Sequence, residues 1–289
     1  MDRVMVRSWI LLLLAGALFL SFAGPAAIGV ATAKGSFLLD RSAVQGNATL
    51  FEGTVVETTA TPSLVRLQDG PRMQLGSTSR GKVYGDRLVL EKGEGQLEGA
   101  LGYRIEAREL RILPESTDTV ARVALGKPGR VTVAALTGGV RVTTADGTLV
   151  ARLERGTALE FEPQAAGASA PVSVTGCLAE VDGHFLLKDD TANVSFELQS
   201  DDLARYRGQR VTVTATVLKE ARPGHGAVQV IQVAQIKTLA GTCPVPAATP
   251  SKGALSGTTK AVIAGVAIAA VAGGTAIGLT RNDKQSISR

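Results

Sequence analysis

From Gly35 to about Gln164, apolar and polar residues alternate in short runs that turn residues interrupt every few positions. The clearest runs are Thr49–Ala60, Ser63–Leu75, Gly85–Leu97 and Gly139–Leu153. A period of two places alternate side chains on opposite faces, which predicts half-buried strands. Asp69-Gly70 and Asp146-Gly147 mark hairpin turns, because glycine takes positive φ at little cost. Val131, Val133, Val140 and Val142 add β-branched pairs at the same period. This stretch reads as all-β, with strands of about five residues.

A small-residue linker, Pro163–Pro171, precedes a second patterned unit over residues 172–243. Strands are expected at Ser173–Ala179, His184–Lys188, Asn193–Leu198, Arg210–Val217 and Ala227–Ile236. A short helix is expected near Asp201–Tyr206, with Ser200 and Asp201 able to cap it and Gly208 able to stop it. Five strands with a helix between the third and fourth is the order of a small OB-type barrel. A second linker runs through residues 244–259.

Both ends of the chain lose the alternation and become apolar. Arg3 and Arg7 precede Trp9–Phe22, and Ala31-Thr32-Ala33 has the form of a signal cleavage site, so residues 1–33 read as an export signal. The competing reading is an uncleaved anchor, since Ser8–Val30 carries no charge. Near the other end, Ala261–Thr280 is uncharged. A helix of that length rises about 30 Å, so Lys260–Arg281 reads as a single transmembrane helix. Residues 282–289 then form a short basic cytoplasmic tail, and the two β units lie on the periplasmic or extracellular side. Gly274 and Gly278 form a GxxxG, and Gly265, Ala269 and Gly273 extend a stripe of small residues. Such a stripe permits close helix pairing and self-association through the membrane, although an Ala/Gly-rich span also produces the spacing by chance.

Composition refines this picture. Aromatics make up only 4% of the chain, so any core is aliphatic. The net charge of +5 suggests nucleic acid until it is located. Residues 34–163 hold 17 basic and 16 acidic side chains, and residues 172–243 hold 7 and 8. The excess flanks the apolar ends, so no segment offers a basic face and a nucleic-acid partner is not expected. In the second unit Phe185 and Phe196 read as barrel filling rather than a stacking platform.

Certain motifs add a family resemblance. Gly53-Thr54-Val55-Val56-Glu57-Thr58, Leu64–Gly70 with its D-G turn, Leu75-Gly76-Ser77-Thr78-Ser79 and the late pair Gly139–Phe161 together resemble the FecR-type periplasmic domain over about residues 35–163. The resemblance implies an envelope protein that binds a partner and relays a signal. The family's best-known regulators carry a cytoplasmic anti-sigma segment ahead of their membrane helix, which has no counterpart ahead of Trp9. The stretch Tyr206–Val217 resembles the fourth strand of exported bacterial OB-fold modules.

Cys177 and Cys243 bracket the second unit. An exported chain meets an oxidising compartment, so the pair reads as a disulfide, with two free buried thiols as the alternative. Candidate chemistry is sparse. His184 and His225 accompany no nucleophile motif and read as two exposed histidines. Asp189/Asp190 and Asp201/Asp202 lack the spacing of a calcium loop, and two cysteines with distant histidines do not make a zinc site. Asn47 and Asn193 begin glycosylation triplets, which matter only in a eukaryotic secretory route. No catalytic residue, metal or cofactor is assigned. The sequence thus predicts a non-enzymatic, membrane-tethered envelope protein that binds a protein or glycan and relays a signal, or a passive scaffold of the same build.

Overall fold

The computed structural model describes residues 24–68, 70–99, 101–127, 129–163, 172–218, 220–243, 259–260, 262–263 and 266–267. The described residues are almost entirely strand, as the alternation predicts. In the first unit these are β1 Ala27–Leu39, β2 Ser42–Phe51, β3 Thr54–Thr58, β4 Ser63–Leu67, β5 Arg72–Leu75, β6 Arg80–Val83, β7 Arg87–Lys92, β8 Glu94–Glu98, β9 Arg104–Ala107, β10 Leu110–Pro114, β11 Val120–Leu125, β12 Val131–Thr137, β13 Val140–Thr144, β14 Leu149–Leu153 and β15 Thr157–Pro163.

Their pairings form two series. One runs β3-β6-β7-β9-β10-β13-β14. The other runs β4-β5-β8-β11-β12-β15. Strand β1 joins them, pairing with β3 through Phe37–Leu39 and with β4 through Gly29–Ala33, while β2 covers it. Burial alternates along the strands, as in Ser63–Leu67 and Leu110–Pro114. Each series therefore turns one face inward, and the inward residues, such as Leu75, Leu97, Ile105, Ile112 and Val142, belong to one aliphatic cluster. The opposite faces keep their charged side chains in solvent.

The start of this unit differs from expectation. Ala31-Thr32-Ala33 lies inside β1, with Ala31 fully buried and Ala33 nearly so. A β-carbon on Gly29 would collide with the Arg66 carbonyl, so strands pack closely here. The folded unit begins at Ala27, not at Lys34. Residues 1–23, which hold most of the expected export signal, lie outside the described residues.

The second unit comprises β16 Val172–Val181, β17 His184–Asp189, β18 Ser195–Gln199, β19 Gln209–Val217 and β20 Gln229–Thr242. They close into a five-stranded barrel in the order β16-β17-β18-β20-β19. Only β18 and β20 run parallel within it. Asp182 and Gly183 both take positive φ, 52° and 81°, and make the tight turn between β16 and β17 that their sequence predicts. The expected helix is reduced to one 3₁₀ turn, Ala204–Tyr206, without a side-chain cap. Ser200 and Asp201 therefore do not cap it. The nine residues 200–208 that join β18 to β19 hold this turn and no longer helix.

Thr259–Lys260, Val262–Ile263 and Val266–Ala267 are short strands, and the first and last of these pair with β15. β-branched residues favour that state. The rest of the expected Lys260–Arg281 helix lies outside the described residues, as do Gly265, Ala269, Gly273, Gly274 and Gly278. No helix among the described residues is long and apolar enough to cross a membrane.

Candidate functional site: an arginine groove and a histidine pair

The outward face of β9, β10, β13 and β14 carries an open groove of about 550 Å³. Arg104, Arg111, Arg141 and Arg152 line it. Strand alternation puts them there. Ile105, Ile112, Val140 and Val142 point into the core with no exposed surface, so their neighbours Arg104, Arg111 and Arg141 point out. Register then sets them side by side. Glu106 faces Arg111 across β9 and β10, Leu113 faces Arg141 across β10 and β13, and Arg141 faces Arg152 across β13 and β14. A bulge after Val142 shifts the pairing so that Thr143 meets Leu149 and both line the groove.

The ion pairs are unevenly shared. Arg104 pairs with Glu106 at 2.8 Å and with Asp86 at 3.0 Å. The hydrogen bond that Arg104 donates to Glu106 raises the Arg104 pKa further, against a smaller effect of burial. Arg111 is 3.8 Å from the same glutamate. Arg152 pairs with Glu115 at 3.0 Å. The Arg141 side chain is exposed and has no ion pair or hydrogen bond among the described residues. Like charges directly opposite in an antiparallel pair are destabilising. Arg141 and Arg152 stand in that relation, and only Arg152 has a carboxylate beside it. The turn below them is firm, since Asp146 accepts hydrogen bonds from the hydroxyls of Thr144 and Thr148 and its pKa falls, chiefly through Thr144.

The second constellation lies on the barrel. His184 opens β17 and His225 lies in the loop before β20, yet their rings are 4.4 Å apart at the centroids. His184 Nδ1 lies 2.9 Å from Glu197 Oε1, and the other oxygen of Glu197 accepts the Gly224 N–H at 2.9 Å. That backbone bond, then His184, holds the Glu197 carboxyl below its usual range, with burial opposing. His225 Nδ1 lies 3.7 Å from Asp182. Both histidines are exposed, as their sequence contexts suggest, and the fold brings them together as a pair. No group of three or more His, Cys, Asp and Glu among the described residues is placed to hold a metal ion.

Cys177 and Cys243 form a disulfide with Cα atoms 5.5 Å apart. Register brings them together, because Cys177 faces Arg210 on β19 and the neighbouring Gln209 faces Thr242 on β20. The bond spans the start of β19 and ties β16 to the end of β20. No family model and no curated protein matches the chain. The FecR resemblance therefore rests on the quoted residues alone.

The groove is the feature that sequence reasoning missed. A near-neutral count over residues 34–163 concealed it, because folding sorts the charges by face. On the other series Arg122 pairs with Glu94 at 3.2 Å, while Arg66 and Arg72 face each other across β4 and β5 and line no groove with further arginines among the described residues. The available signal was parity: each groove arginine alternates with a core residue on its strand.

Proposed function

We propose that this chain is a non-enzymatic recognition protein of the cell envelope, exported and held at the membrane by its C-terminal apolar run. Its domains face the periplasmic or extracellular side. The first unit is a FecR-like module, and the second, with its closed barrel and parallel third and fifth strands, is an OB-type module. The disulfide supports export, because such bonds persist in oxidising compartments. The small-residue stripe provides helix pairing in the membrane, through which binding is relayed.

One observation carries the recognition role: Arg141, without a partner and opposite Arg152, in a groove lined by four arginines. Arginine presents a planar fork that matches carboxylate and phosphate groups. An anionic partner supplies the counter-charge that Arg141 lacks. The barrel touches this same strand, since the Arg152 N–H donates to the Ala192 carbonyl at 2.9 Å and Asn193 donates to Glu154 at 3.1 Å. Occupation of the groove is therefore felt at the barrel.

The test uses the full-length chain expressed with its own ends. It fractionates with membranes, its domains are open to external protease, and its thiols are oxidised. In detergent it is retained on a carboxylated matrix at low salt, and Arg141→Ala with Arg152→Ala releases it. A soluble cytosolic product with reduced thiols, or retention indifferent to both substitutions, refutes the reading.

A further inference from the structure

We infer that the groove binds a linear acidic polysaccharide, a chain of sugars bearing carboxylates. This rests on the recognition role proposed above and names its ligand class. Arg104, Arg111, Arg141 and Arg152 sit on four successive strands of one series. Adjacent strands lie about 4.8 Å apart, so the cationic row extends over roughly 15 Å. A single small anion engages one or two guanidinium groups, whereas a row of that length matches several anionic groups carried on one chain.

The space between the arginines is not uniformly charged. Leu113 and Leu149 line the groove and are only partly buried, giving an apolar shelf against which the C–H face of a sugar ring packs. Glu106 and Glu115 contribute carboxylate oxygens beside the arginines, and Thr143 adds a hydroxyl. Ionised carboxylates only accept hydrogen bonds, so they call for O–H donors on the ligand. A polyol with spaced carboxylates supplies both kinds of partner. A densely sulfated or phosphorylated polymer meets Glu106 and Glu115 with like charge, and an acidic peptide offers few hydroxyls. None of the groove residues is aromatic, so nucleic-acid bases find no stacking surface.

Arg141 is the residue free to make a new two-pronged bond, because Arg104 and Arg152 already hold carboxylates. Full-length protein in detergent is titrated calorimetrically with polygalacturonate, heparin, poly-glutamate and inorganic phosphate. Polygalacturonate binds most tightly and weakens with added salt. Arg141→Ala weakens it about tenfold, and Arg141→Lys, which keeps charge but loses the fork, recovers only part of that. Arg66→Ala, on the other series, leaves it unchanged. Tighter binding of heparin or poly-glutamate overturns the polysaccharide assignment while leaving anion recognition intact. Absence of binding to every probe, or binding indifferent to Arg141, overturns both.

Discussion

Asp189, at the end of β17, is 4% exposed, and its carboxylate accepts the Thr191 N–H at 3.0 Å. Burial pushes its pKa up to about 6, with a small push from Asp190 and an opposing pull from the Thr191 and Ala192 backbone groups. A raised carboxyl pKa means that the folded state holds its proton more tightly than the unfolded chain. The ionised form is therefore a cost to folding above about pH 6, and this cost fades as pH falls. Barrel stability should rise between pH 7.5 and 5 by about 1.4 kcal/mol on simple linkage, one pH unit below the folded pKa. Asp189→Asn should raise the neutral-pH melting temperature and flatten that rise, which urea titrations at several pH values would show. Glu197 runs the other way: its lowered pKa adds stability that is lost only on further acidification. Steric limits are as local. A β-carbon on Gly176 would collide with the Lys188 carbonyl across β16 and β17, so Gly176→Ala should open the barrel at that point and lower its melting temperature.

At the scale of elements, the proposed anion site implies that β13 and β14 trade stability for binding. Arg141→Thr removes a like-charge pair on adjacent strands and puts a β-branched residue in a strand position. It should stabilise the chain by about 0.5 kcal/mol in urea while weakening anion binding. A loss of stability would show that Arg141 has a structural role instead. Strand β1 makes a different prediction. Cleavage after Ala33 would strip Ala27–Ala33 from the sheet and with it the pairing to β4. On the proposed export route, the processing point should therefore lie ahead of β1, where Ser21-Phe22-Ala23 has small residues at the required positions. N-terminal sequencing of the exported protein should find a first residue between Gly24 and Ala27. A start at Lys34 would mean that the unit folds without half of β1.

At the scale of the whole molecule, the disulfide closes a loop with a sequence separation of 66. The chain-entropy model assigns such a closure roughly 4 kcal/mol, a large share of what a small barrel has. Cys177→Ser should destabilise the barrel by about that amount in calorimetry, with the first unit less affected. The alternation of Val, Leu, Ile and Ala with polar residues sufficed to predict an all-β chain in two units, five barrel strands in order, and a cystine joining the barrel's ends, because strand period and turn chemistry are local properties. The 3₁₀ turn in place of a helix, the placement of Ala31-Thr32-Ala33 inside a strand, the meeting of His184 with His225, and the row of four arginines were not legible. Each depends on which strands become neighbours and in what register. Charge counted along a chain sums over both faces of a sheet, whereas a ligand meets one face. Pairing across distant strands, which only the tertiary structure decides, separates those faces and leaves Arg141 opposite Arg152 with no counter-ion of its own.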